Sequence, residues 1–306
     1  MIVIQILGPS YSGSTVLGYA LNTIPGYIFG SELRRILPAQ RRRRSQRPSC
    51  DFCGVECEYW SDNLFKEMDR KKVSSLDGIY EIFSKRHPEV VTLVDASKTV
   101  VSIGSAPADY RILCKKHPIR LLASYLYNDR KKYKIKHEKI SDFGKILSIN
   151  LEKTISICEK KLSELLFDYK SLSEVFPNHI SFKSDHAHLN DFRDFRFLEK
   201  ILSVTDQSIK PTKFSSFPCH SVGGNRAPVW ISKASQGGEI FDQDRFRFYQ
   251  DTTSFGDWKI DNKYSIVFSE DIIDRLSRLE IYSELCEYLG YDKHKFDLDL
   301  RKPIPG

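Results

Sequence analysis

The first apolar run, Ile2-Val-Ile-Gln-Ile-Leu7, leads into the turn-forming segment Gly8-Pro-Ser-Tyr-Ser-Gly-Ser-Thr15 and then the amphipathic Val16-Leu-Gly-Tyr-Ala-Leu21. That order predicts a buried strand, a glycine-hinged turn and a helix. Val90-Val-Thr-Leu-Val94 predicts a second buried strand ending at Asp95. Tyr110-Arg-Ile-Leu-Cys114 predicts a third, with Pro118 suited to the first turn of a helix whose apolar face is Leu121–Leu126. Residues 62–86 are helical in composition, 143–166 carry a long helix pattern and 194–203 a shorter one. Helices near 269–289 are closed by Gly290. Residues 26–60 read as loops punctuated by Pro25-Gly26, Pro38 and Pro48, and Asp168-Tyr169 reads as a turn at a sheet edge. Residues 211–240, rich in Gly, Pro, Ser and Asn, read as a long ordered loop or cover.

Short apolar strands alternating with helices predict a three-layer α/β/α fold around a central parallel sheet. The expectation is one domain over residues 1–306, with loop insertions near 30–60, 128–140 and 211–240. In such sheets ligands bind off the carboxyl ends of the strands. Gly8–Thr15, Asp95–Lys98 and Lys115–Ser124 each follow a predicted strand, so all three are expected on one edge.

Composition narrows this picture only a little. Hydrophobic residues at 41% and charged residues at 28% are ordinary globular usage. The net charge of +7 is concentrated around Arg41–Arg44, with Arg34, Arg35 and Arg47 nearby. It suits an anionic ligand, an acidic glycan, a membrane surface or nucleic acid. No run approaches about 18 apolar residues, so no membrane span is expected. The first apolar run is too short for a signal peptide, and seven cysteines, an odd number, point to a reducing cytoplasm.

The candidate chemistry lies in the predicted turns. Gly8, Gly13, Ser14 and Thr15 have the spacing of a phosphate-binding GxxxxGK[ST] loop, with Ser14 where the lysine stands. Backbone amides of such a loop and the following helix N-terminus bind anions. Lacking the lysine, the loop suits a 5′-phosphate or phosphosulfate better than the β,γ-diphosphate of a Mg²⁺ nucleotide. A second basic-plus-hydroxyl pair, Lys116 with Ser124 eight positions on, is placed to hold another phosphate. Two separated phosphates on one nucleotide describe 3′-phosphoadenosine 5′-phosphosulfate (PAPS).

With these residues the chain resembles the PAPS-dependent sulfotransferases, particularly the bacterial and carbohydrate-type branch. Gly8–Leu17 resembles the family's 5′-phosphosulfate loop, and the resemblance implies that Ser12, Gly13, Ser14 and Thr15 bind the donor. Lys116 and Ser124 fall where the family's 3′-phosphate-binding arginine and serine lie, and Arg120 matches a basic position of the carbohydrate-type branch. Asp95–Lys98 resembles the DSSK stretch; Cys50, Cys53, Gly54, Cys57 and Trp60 resemble a cysteine–tryptophan segment of bacterial members. His220 to Arg226, with Gly224 and Asn225, resembles an element that closes over the nucleotide. The implied reaction transfers a sulfuryl group from PAPS, without a metal, to a hydroxyl of an acceptor, first of all a carbohydrate or glycolipid.

Within that resemblance Glu32 matches a glutamate that acts as base toward the acceptor hydroxyl, with His220 in reserve. Family members carry a cation at the position of Tyr11, which Lys98, Arg34 or Arg120 has to supply here. Each feature also has a plainer reading. Glu32 can be a surface carboxylate paired with Arg34 and Arg35, and Lys115 and Lys116 can be exposed at a strand end. Cys50, Cys53 and Cys57 have partial zinc spacing but lack a fourth ligand, which favours a packed loop over a metal site. The arginine run is either a solvated loop or a means of membrane-surface association through Arg41–Arg44. A P-loop kinase, with Asp95 as the Mg²⁺ residue, and an anionic-polymer binding protein are the alternatives. No nucleic-acid module is recognisable, so nucleic acid is not an expected partner.

Overall fold

A computed structural model describes residues 1–22, 26–42, 50, 56–128, 151–183, 268 and 270–294. Its centre is a five-stranded parallel sheet: β1 (Ile2–Leu7), β2 (Tyr27–Ser31), β3 (Thr92–Lys98), β4 (Tyr110–Lys115) and β5 (Ile180–Lys183), in the order β2-β3-β1-β4-β5. The chain first builds outward to β2 and β3 on one side of β1, then crosses to β4 and β5 on the other. That reversal beside β1 is the topological switch point at which sheets of this kind bind ligands.

Helix α1 (Ser14–Leu21) follows β1. A 3₁₀ helix (Leu33–Ile36) and α2 (Pro38–Arg42) follow β2, then α3 (Asp62–Arg70) and α4 (Leu76–Arg86) return the chain to β3. Short α5 (Val100–Ile103) leads to β4, and α6 (Pro118–Asn128) leaves it. The long α7 (Leu151–Val175) precedes β5, and α8 (Glu270–Ser277) and α9 (Glu280–Leu289) come last. Adjacent residues of β2 show how the sheet is covered: the Phe29 ring lies so close to α1 that a Cβ on Gly18 would come within 2.2 Å of it. Ile28, pointing the other way, joins the core with Leu64, Phe65 and Phe83 of α3 and α4. Helices therefore cover both faces, and the fold is three-layered α/β/α as the strand–helix alternation predicts.

Local chemistry explains the helix ends. Ser61 and Ser75 cap α3 and α4 by accepting from the amides of Leu64 and Gly78. The last helix ends at Gly290 in the left-handed conformation, where the Tyr291 amide bonds the Cys286 carbonyl at 2.8 Å. Several sequence expectations need correcting. Residues 26–60 are not all loops: Tyr27-Ile-Phe-Gly-Ser31 is a wholly buried edge strand, too short and too Gly/Ser-rich to stand out. Strand β3 runs past Asp95 to Lys98, so Asp95 lies inside the sheet rather than after it. Asp168-Tyr169 is in the interior of α7, not a sheet-edge turn, because Tyr169 is a core residue on the helical face that carries Leu162, Leu165 and Leu172. Strand β5 was not anticipated at all.

Candidate functional site

The loop between β1 and α1 is shaped by backbone geometry. Gly8 has φ +138° and sits where a Cβ would come within 2.7 Å of Ser12 Oγ and 2.9 Å of the Cys114 carbonyl oxygen. Only a residue without a side chain fits. Gly13 (φ 93°) and, unusually, Tyr11 (φ 68°) are also left-handed. The Tyr11 ring packs edge-on against Tyr125 of α6 at 4.9 Å. That contact turns the side chain toward the apolar core, where it supplies no charge. Ser12 is fully buried, and its hydroxyl has no hydrogen-bond partner among the described residues. A buried, unsatisfied donor beside the free amides at the start of α1 is a place for an anion to complete.

The loop is tied directly to the end of β3. The Gly8 amide donates to the Lys98 carbonyl at 3.1 Å, and Leu7 and Lys98 are register partners just beyond a shift in the β1–β3 pairing. Lys98 itself is left-handed (φ 74°), which aims its side chain off the strand. Its Nζ donates to Glu32 Oε1 at 2.9 Å. The other oxygen of Glu32 receives the Arg35 guanidinium. Glu32, Lys98 and Arg35 are thus brought together, all three largely shielded, with side-chain exposures of 17%, 14% and 24%. A carboxylate and an ammonium side by side next to an anion loop can accept a proton and offset developing negative charge in one place.

The first two amides after Glu32 are not held locally. Ser31 is left-handed (φ 60°), and Glu32 makes no side-chain cap for the 3₁₀ helix because its carboxylate faces Lys98 and Arg35. Instead the Leu33 amide donates to Asp95 Oδ1 at 3.2 Å and the Arg34 amide to Ser97 Oγ at 3.2 Å. Asp95 also accepts from Tyr80 Oη and Ser97 Oγ, each at 2.7 Å. Burial pushes its carboxyl up to about 6, against the opposing pull of the Tyr80, Ser97 and Leu33 bonds. The pairing of Glu32 with Arg35 agrees with its plainer sequence reading, whereas Tyr80 and the part played by Ser97 were not singled out from the sequence. The signal that points to them is Gln5 and Asp95, polar residues inside otherwise apolar strands.

The third predicted loop lies on the same edge. Lys115 ends β4, where burial and neighbouring Lys183, its register partner on β5, lower the pKa of its ammonium. Arg120 is buried in the first turns of α6, and Ser124, also buried, donates its hydroxyl to the Arg120 carbonyl at 2.9 Å. His117 is buried between the rings of Tyr282 and Tyr291, at 6.3 and 5.1 Å. His220, Gly224, Asn225 and Arg226 lie outside the described residues, as do Cys53, Arg43 and Arg44. Arg41 is folded onto α3, bonded to Asp69 at 2.7 Å and to the Ile36 carbonyl at 2.8 Å. Cys50 and Cys57 are buried thiols, the latter accepting from the Trp60 amide at 3.4 Å. Among the described residues no group of three or more His, Cys, Asp or Glu could hold a metal, and no helix is long and apolar enough to cross a membrane.

Beside the Glu32 turn lies a cleft of about 760 Å³ between Arg34 and Gln40, the α3–α4 connection with Lys72 and Ser74, and Val101 and Ser105 after β3. Its wall mixes hydroxyls, an amide and charges of both signs with small apolar side chains.

No protein-family model matches the chain, and no curated protein sequence matches it. Among solved structures, a sulfotransferase domain from the curacin biosynthetic pathway is similar, with a TM-score of 0.50 at 16% identity over 95% of this chain and 98% of that domain. The likeness extends the length of the chain and is one of fold.

Proposed function

We propose that the chain is a sulfotransferase that moves a sulfuryl group from PAPS to an acceptor hydroxyl. The observation that carries the reading is the adjacency at one sheet edge of an anion loop with an orphaned buried hydroxyl, Ser12, and a carboxylate–ammonium pair, Glu32–Lys98. The loop residues fit a 5′-phosphosulfate: Gly8 leaves the backbone open, Ser12 lacks a partner among the described residues, and Ser14 in place of a lysine avoids the geometry of a Mg²⁺ triphosphate. The sulfotransferase fold of the solved neighbour agrees with it.

In the proposed reaction Glu32 takes the proton of the acceptor hydroxyl as its oxygen attacks sulfur. The bond from sulfur to the 5′-phosphate oxygen breaks, and 3′,5′-diphosphoadenosine leaves. Lys98 and the amides of Ser12–Thr15 meet the charge that develops on the departing oxygen, the part that Tyr11 cannot play. Lys116, Arg120 and Ser124 are the residues proposed for the 3′-phosphate, with Gly224, Asn225 and Arg226 closing over the nucleotide and His220 as second base. The cleft beside Arg34 is proposed to seat the body of the acceptor. Its volume lies in the usual range for small-ligand sites, and its balance of charge and hydroxyls suits a neutral sugar better than a polyanion.

A kinase reading is disfavoured by Asp95, its Mg²⁺ candidate. Both oxygens of that carboxylate are buried and already accept bonds from Tyr80, Ser97 and Leu33. Calorimetry of 3′,5′-diphosphoadenosine against ATP and AMP, with and without Mg²⁺, tests the proposal. Metal-independent binding that requires the 3′-phosphate is expected; a preference for ATP with Mg²⁺ would move the chain to the kinases. Glu32→Gln should keep that nucleotide binding and lose about 10²–10⁴-fold in transfer, and a fully active variant removes Glu32 from the role.

A further inference from the structure

A one-directional chain of hydrogen bonds runs through the sheet to the Glu32 turn. Arg111 on β4 donates from Nε to Gln5 Oε1 at 3.0 Å, and Gln5 on β1 donates from Nε2 to Tyr80 Oη at 3.2 Å. Tyr80 on α4 donates to Asp95 Oδ2 at 2.7 Å, and the other oxygen of Asp95 receives the Leu33 amide and the Ser97 hydroxyl. Ser97 in turn accepts from the Arg34 amide. At the far end, Arg111 and Gln5 both bond the Ala106 carbonyl, and the Arg111 guanidinium lies 4.7 Å over Phe176. Every link from Arg111 to Asp95 points the same way, an arrangement in which each bond polarises the next.

A fully buried carboxylate with no cation against it among the described residues is an expensive way to fill a strand position; a valine or isoleucine would pack there without that penalty. What this carboxylate does that an aliphatic residue cannot is hold an amide of the neighbouring turn and orient the serine that holds the next one. The turn needs it, since Ser31 is in a disfavoured conformation and the Glu32 side chain is turned away from its own helix end. We propose that Asp95, braced by Tyr80, Gln5 and Arg111 and acting with Ser97, is a positioning residue that sets the turn carrying Glu32, and so places the Glu32 carboxylate opposite Lys98. The inference rests on the reading of Glu32 as the base, but the anchoring of the turn is measurable without it. The raised pKa of Asp95 agrees with this: the bonds that hold the turn only partly compensate for its burial.

The test is amide hydrogen exchange on the full chain, comparing Leu33 and Arg34 with Ile4 and Leu113 in the central strands. Alongside it, kcat and the donor KM are read from release of 3′,5′-diphosphoadenosine from PAPS, with water as acceptor. In Asp95→Ala, exchange at Leu33 and Arg34 should rise at least about tenfold over that of the strands. kcat should fall by about the same factor, with the donor KM within about twofold. Asp95→Asn, whose carbonyl oxygen can still accept from Leu33, should recover most of the lost protection and rate. Tyr80→Phe, which removes only the hydroxyl that braces Asp95, should give a smaller shift in the same direction and serves if the alanine variant does not fold. Protection at Leu33 and Arg34 equal to wild type in Asp95→Ala, or in Tyr80→Phe where the alanine variant does not fold, or a rise shared equally by the strands, overturns the proposal. Local loosening of the turn together with a fully active Glu32→Gln sinks the base assignment instead, and leaves the anchoring established.

Discussion

The loop after β1 and the turn after β2 are neighbours at the carboxyl edge of the sheet, joined through Lys98, yet they are built on opposite plans. The loop is local: its shape follows from Gly8, Tyr11 and Gly13 in left-handed conformations, and the groups proposed to bind an anion are its own amides and the Ser12 hydroxyl. The turn is made from a distance. Its amides are held by side chains more than 60 positions along the chain, on β3, and those in turn by α4, β1 and β4. A ligand site of the first kind tolerates change elsewhere in the protein; one of the second kind inherits the state of the whole core.

The comparison can be broken by perturbing each plan separately. The largest effect should come from the pH dependence of the turn's anchor. Asp95 is raised from its ordinary 3.8 to about 6, so the folded protein holds a proton there that the unfolded chain has given up. Its contribution is fully favourable below about pH 4 and is lost as pH rises through about 6, a difference of about 3 kcal/mol. Denaturant unfolding of Asp95→Asn should therefore gain on wild type by that order between the two pH values. Parallel curves would mean that the buried carboxylate does not titrate with folding.

Next is the loop. Gly8→Ala forces a Cβ into Ser12 and the Cys114 carbonyl at a φ that L-residues avoid, and should cost about 2 kcal/mol of stability and most of the nucleotide affinity. A smaller and more divided effect is expected at Lys98, where the two plans meet. Lys98→Gly relieves the left-handed strain while losing the ion pair with Glu32. Stability should change by less than about 1 kcal/mol, with transfer falling at least about tenfold. Unfolding of that variant would make Lys98 a structural residue. The smallest stability change belongs to Ser12→Ala: deleting a hydroxyl that has no partner among the described residues should leave stability within about 0.5 kcal/mol. The same variant should still weaken 3′,5′-diphosphoadenosine in calorimetry. Unchanged binding would remove Ser12 from the anion site.

These two regions also divide what could be read from the residues. The strand–turn–helix over Ile2–Leu21 and the parallel three-layer fold were legible, because apolar runs and glycine punctuation are properties of consecutive residues. The same holds for α6 behind β4 and for the closure of the last helix at Gly290. Strand β2 was not legible. Its five residues carry Gly30 and Ser31 and owe their burial to α1 on one face, which approaches closely enough only because residue 18 is glycine, and to α3 and α4 on the other. Glu32 could be named by resemblance and its pairing with Arg35 from adjacency, but not its contact with Lys98, 66 positions away, nor the hold of Asp95 on the Leu33 amide, because both depend on which strands lie side by side.

By itself, then, the sequence determined the order of elements, the edge on which the loops gather and the glycine-hinged form of Gly8–Thr15, all consequences of short-range periodicity and backbone preference. Only the tertiary structure decided that Asp95 is an anchor rather than a ligand, and that Tyr11 packs against Tyr125 while Lys98 stands beside Glu32. Those outcomes follow from which strands lie side by side, because a hydrogen bond or an ion pair depends on distances in space that the order of residues along a chain does not contain.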